Sequence, residues 1–81
     1  MNITIEDNVL KRKVEEALRE SGINCQEIID NKEVTHLIVV IDSGISYSKI
    51  HQFTALLAEK NLRSTSNFFP DMQIIHIVVF D

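Results

Sequence analysis

The chain has 81 residues, of which 44% are hydrophobic and 25% charged, with a formal net charge of −4 at pH 7. That length provides for one domain and one core across residues 1–81, and domains this small bury only about 60% of the surface their unfolded chains expose. Two Gly and one Pro argue against disorder, and the acidic balance argues against nucleic acid as a partner. A single cysteine, Cys25, excludes an intrachain disulfide and fits a reducing, cytoplasmic setting. The N-terminus lacks signal-peptide character, and the longest apolar run, Leu37 to Ile41, falls far short of a membrane span.

Ile3 and Ile5 alternate with Asn2, Thr4 and Glu6, a period that predicts a short first strand. Asp7 and Asn8 then signal a helix start. Leu10, Val14, Ala17 and Leu18 recur at helical spacing among charged residues, and Gly22 supplies a stop. Ile23 to Ile29 predicts a second strand, Asp30 to Glu33 a polar turn, and Val34 to Ile41 a third strand paired with the second as a hairpin. After the Asp42-Ser43-Gly44 break, Ser46 or Ser48 caps a second helix running to about Lys60. Ile50, Phe53 and Leu57 mark its inner face, and Asn61 its terminator. Leu62 to Asp71 is polar, contains Pro70, and reads as a long connection to a last strand over Met72 to Phe80.

The expected fold class is α+β: a ferredoxin-like βαββαβ arrangement, a four-stranded antiparallel sheet with two helices on one face. In that topology the first and third strands are central and the last is a sheet edge. The only covered face is the one under the helices, so a strand should alternate apolar and polar. The third and fourth strands do not. With Leu37, Val39, Ile41, Ile75, Ile77 and Val79 turned to the helices, Ile38, Val40, Ile74, Val78 and Phe80 are left on the open face. A contiguous apolar patch marks an interaction surface, and a long apolar edge invites pairing with another chain.

Little else points to chemistry. His36, His51, His76 and Cys25 lack metal-ligand spacing, and the expected strand order separates His36 from His76. Ser43, Ser46 and Ser48 cluster near a turn without a nucleophile elbow. The Asp42 to Ser46 approach to a helix could hold an anion, but ordinary capping needs the same residues. RNA recognition would require aromatics on the middle strands, where Tyr47, Phe53, Phe68, Phe69 and Phe80 are not expected. No cofactor is implied and no enzyme is expected.

Asp7 to Leu10 (DNVL), the helix ending ALRESG, Gly22-Ile23-Asn24 and the strand pair EIIDNKEVTHLIVVID resemble an ACT domain, over most of residues 3–62. The resemblance implies a small regulatory βαββαβ module that binds amino acids and pairs side by side. It would place a ligand between Asp7 and Asn8 on one side and Ile23 and Asn24 on the other. Asn8-Val9 stands where ACT domains commonly carry a Pro-Gly or similar glycine. The sequence therefore yields two expectations. One is a non-enzymatic regulatory or interaction module acting on a protein partner or as a homodimer; the other is an ACT-like small-ligand sensor.

Overall fold

The computed structural model describes residues 4–31 and 36–80, and the side chains of residues 9–30 and 36–80. The elements are α1 (Thr4–Ser21), β1 (Glu27–Asn31), β2 (His36–Asp42), α2 (Tyr47–Glu59), β3 (Arg63–Phe69) and β4 (Ile74–Phe80). The four strands form one antiparallel sheet in the order β1-β2-β4-β3. The α+β class, the two helices and the spatial layout of a ferredoxin-like sheet are as the sequence predicts.

The route of the chain through that layout differs. Ile5 lies in α1, not in a strand, and Ile3 lies outside the described residues. The place expected for a first strand is filled by β4, so the last strand is central and not an edge. The edge beside it is β3, formed by residues expected to be a connection. The observed order αββαββ is thus a circular permutation of the expected one, with its central strand supplied from the C-terminal side.

The two halves of the chain are built alike. Each is a helix, an edge strand and a central strand. Moving the β1–β2 register forward by 38 residues lands on the β3–β4 register: Glu27↔Val40 becomes Thr65↔Val78, and Asn31↔His36 becomes Phe69↔Ile74. The halves meet where β2 pairs with β4, from His36↔Phe80 to Asp42↔Ile74. An approximate two-fold axis normal to the sheet therefore runs between the central strands. The similarity of His36-Leu-Ile-Val-Val to His76-Ile-Val-Val-Phe is not its trace, because that match is offset by two residues from the structural one.

Both helices end in the same device. At α1, Gly22 takes φ 75°, its N–H donates to Arg19 O and the Ile23 N–H donates to Leu18 O. At α2, Asn61 takes φ 65°, its N–H donates to Ala58 O and the Leu62 N–H donates to Leu57 O. This is the Schellman pattern, and its usual apolar clasp is present in buried Leu18 with Ile23 and buried Leu57 with Leu62. The N-terminus of α2 is capped by Ser46, whose Oγ accepts from Lys49 N at 3.4 Å.

The core lies between the helices and one sheet face. Val14, Ala17 and Leu18 of α1 and Phe53 and Leu57 of α2 meet Leu37, Val39 and Ile41 of β2 and Ile77 and Val79 of β4. Phe53 is the largest fully buried side chain, so its removal would open the worst cavity. Lys60 Nζ reaches Glu16 Oε1 at 3.4 Å and ties the two helices at their surface, a contact worth up to about 1 kcal/mol. The shortest dimension of the backbone is 18 Å, enough for a helical layer on a sheet.

The two glycines separate backbone strain from packing. A Cβ on Gly22 would meet nothing closer than Lys49 Nζ at 3.8 Å, so Gly22→Ala is costly only through its positive φ. The expected loss is about 1 kcal/mol, or roughly 4–8 °C in thermal midpoint. Gly44→Ala, at a φ outside the left-handed region and 3.5 Å from Asp42 Oδ1, should be neutral or stabilising by up to about 1 kcal/mol. Thermal denaturation of both variants checks the pair.

Candidate functional site

The face of the sheet turned away from the helices follows from alternation and register. Three rows of directly paired residues cross it. His36, Phe80 and Arg63 form one, and Ile29, Ile38, Val78 and Thr65 the next. Glu27, Val40, His76 and Asn67 form the third, and Asp42, Ile74 and Phe69 close the far end. All five residues expected on the open face, Ile38, Val40, Ile74, Val78 and Phe80, are on it.

Register adds two apolar residues that the sequence reading missed. Ile29 on β1 is 37% exposed and Phe69 on β3 is 38% exposed. Val40 is buried and the other four expected residues are half-buried, shaded by their neighbours in a closely spaced sheet. No described residue forms a layer over this face. Its formal charges stand away from the middle, at Glu27, Asp42 and Arg63.

Side-chain contacts make the face stiff. The Arg63 guanidinium lies over the Phe80 ring, 5.0 Å from its centroid. Such a contact adds roughly 0.5–1 kcal/mol at an exposed position. The Phe69 and His76 rings stand 4.6 Å apart at 50°. Both contacts join β3 to β4 across the open face. They also correct the expectation that no aromatic lies on a middle strand, since Phe80 is on β4 with Phe69 and His76 beside it. His36 and His76 are on neighbouring strands, not separated by a third.

The residues named for a small ligand do not come together. Asp7 and Asn8 lie within α1, and their side chains lie outside the described residues. At about 1.5 Å of rise per residue they stand more than roughly 20 Å from Ile23. Ile23 and Asn24 line a pocket of about 410 Å³ at the opposite end of that helix, together with Gly22, Asp42, Gly44, Ile45, Ser46 and Lys49. There the Lys49 ammonium donates to Gly22 O at 3.5 Å, and the Ser46 and Ser48 hydroxyls lie 3.4 Å apart.

Cys25 lies between α1 and β1, half-buried against the core. Among the described residues no group of three His, Cys, Asp or Glu could hold a metal ion, and no helix is long and apolar enough to cross a membrane. Tyr47, Phe68 and Met72 are the most exposed large apolar side chains, at 83%, 62% and 59%. Phe68 pairs with Ile75 and so belongs to the helix side of the sheet, beyond the reach of the helices. No protein-family profile matches the chain, and no curated protein matches it.

Neighbouring residues of β2 test the two faces. Leu37 is 2% exposed within the core, whereas Ile38 is half-buried on the open side. Leu37→Asp should abolish folding, because an unpaired carboxylate would be sealed among apolar groups. Ile38→Asp should leave a cooperative fold weakened by no more than about 1–2 kcal/mol. Urea denaturation followed by circular dichroism distinguishes them.

Proposed function

We propose that the chain is a binding module without catalysis of its own, and that it acts by docking a protein surface on the open face of its sheet. The observation that carries this reading is the continuous apolar band across β1, β2, β4 and β3, from Ile29 through Ile38, Val40, Val78 and Ile74 to Phe69. A four-stranded sheet with one solvated face normally keeps that face polar. Surfaces of this kind mark interaction sites, and buried aromatic and Arg anchors carry much of the energy at protein interfaces. Phe80 with Arg63, and Phe69 with His76, are the anchors this face offers. A small regulatory role in the cytoplasm fits such a module.

The test is purification of the tagged chain from its native cells with intact-mass analysis of the complex. The wild type should carry one stoichiometric protein, either itself or another. Val78→Asp should lose that protein while keeping a cooperative thermal transition, its midpoint lowered by no more than about 15 °C. Recovery of both proteins alone would sink the reading.

A second reading is favoured by the pocket at Ile23 and Asn24. It resembles the ACT-type expectation in having a small-ligand site beside the chain segment that follows α1. Ser46 and Lys49 would supply the polar contacts, while Asp7 and Asn8 would take no part. An amino acid or other small anion held there at about a hundred times its Kd would stabilise the fold by roughly 2.7 kcal/mol. A thermal-shift screen should then show a rise of several degrees that Lys49→Ala removes, and a flat response to all such ligands at millimolar concentration rules the pocket out.

A further inference from the structure

We propose that the occupant of the open face is a second copy of this chain, seated face to face about a two-fold axis that lies in the interface and crosses the strands. The proposal rests on the docking reading above and names its partner. The product is a four-layer sandwich, with two sheets inside and the helices outside.

Size is the first argument. Three strands of seven residues and one of five, about 4.8 Å apart and rising about 3.4 Å per residue, make a face of roughly 420 Å². Two such faces remove about 850 Å², below the roughly 1,000 Å² of a stable interface, which fits only a weak and reversible dimer. The stacked sheets would lie about 10 Å apart with their strands within about 30° of alignment, the usual geometry of a sandwich.

The edges are the second argument. β3 reads Arg63-Ser64-Thr65-Ser66-Asn67 over most of its length, and β1 carries Glu27 and Asp30. Polar and charged edges discourage pairing side by side. The apolar surface lies on the face, so the face is where two copies gain by meeting.

Charge then selects the orientation. The approximate two-fold axis normal to the sheet makes the face similar in outline when turned end for end, so shape alone favours no direction. With the axis crossing the strands, β2 lies antiparallel over the partner's β2. Ile38 then faces the partner's Val40, and His36 faces the partner's Asp42, twice by symmetry. An axis along the strands would instead press Asp42 against the partner's Ile74 and bury a carboxylate without a partner. The first orientation turns that cost into two contacts of opposite polarity, and its own mismatch, Glu27 over the partner's Ile29, falls on the edge strand where the carboxylate keeps its water.

Sedimentation equilibrium on the purified full chain tests the proposal. The weight-average mass should climb from 9.3 kDa toward twice that value between about 10 µM and 1 mM, the range expected of so small an interface. Val78→Asp should hold the chain at monomer mass with its circular dichroism intact. His36→Asp places carboxylates opposite each other and should weaken association at least about fivefold. Adding Asp42→Asn, which keeps an acceptor for Gly44 N, should restore most of it.

A wild-type monomer throughout that range overturns self-pairing and leaves the docking reading to the purification experiment above. A dimer indifferent to Val78→Asp overturns the choice of face. Absence of rescue in the double variant overturns the antiparallel seating.

Discussion

β2 and β4 run side by side from His36↔Phe80 to Asp42↔Ile74, and this ladder is where the two halves of the chain meet. Each half alone is a helix on a hairpin, too small to enclose a core. The ladder places Leu37, Val39 and Ile41 beside Ile75, Ile77 and Val79, and both helices close over that strip. The same ladder turns Ile38 and Val40 with Ile74 and Val78 to the opposite side. A strand buried in the middle of a sheet is most stable when β-branched throughout, so the residues that secure the centre also create the exposed apolar band. The helix-side residues of these two strands hold the core, and the residues between them form the apolar band.

The repeat organises the rest. Because the two halves share one register, the helices arrive on the same face and end in the same Schellman closure, with Gly22 in one and Asn61 in the other. Differences between the halves fall where function is proposed. The first half puts Ile29 on its edge strand, whereas the second puts Thr65, Asn67 and Phe69 there. The edges stay polar enough to resist further strands, while the face between them stays apolar.

Much of this was legible in the sequence, and what was not has identifiable causes. The helical spacing of Val14, Ala17 and Leu18, the cap at Ser46, the stops at Gly22 and Asn61, and the inward residues of β2 and β4 follow from period and end signals alone. The face carried by Ile38, Val40, Ile74, Val78 and Phe80 follows from the same alternation. The first strand was misplaced because Ile3 and Ile5 alternate over too few residues to decide between strand and helix, while Thr4-Ile5-Glu6-Asp7 equally suits a helix start. β3 was missed because Arg63 to Asn67 lacks apolar residues, as an edge strand may. Its signal lay at the turn: Pro70 occupies the second position of a β-turn in which Met72 N–H donates to Phe69 O, and Gln73 at φ 56° leads into β4. Once β3 is recognised, β4 is drawn to the centre and the rest of the topology follows. Ile23 and Asn24, and separately Asp42 to Ser46, stand out in the sequence, but that they line one pocket depends on how the end of one helix meets the start of the other.

The position of β4 also bears on how the chain is made. During synthesis the first half emerges with β2 paired to β1 along one side and open along its other edge. The partner of that edge is not β3, the next strand to appear, but the one after it. Until β4 emerges, Leu37 to Ile41 present an open template, and another nascent copy offers a β4 that fits it equally well. Exchange of second halves between neighbouring chains would satisfy the same ladder, which makes crowding on a polysome a hazard for this topology. The polar run of β3 then acquires a use beyond the finished fold, because a strand of that composition competes poorly for the vacant edge of β2 and leaves it for β4.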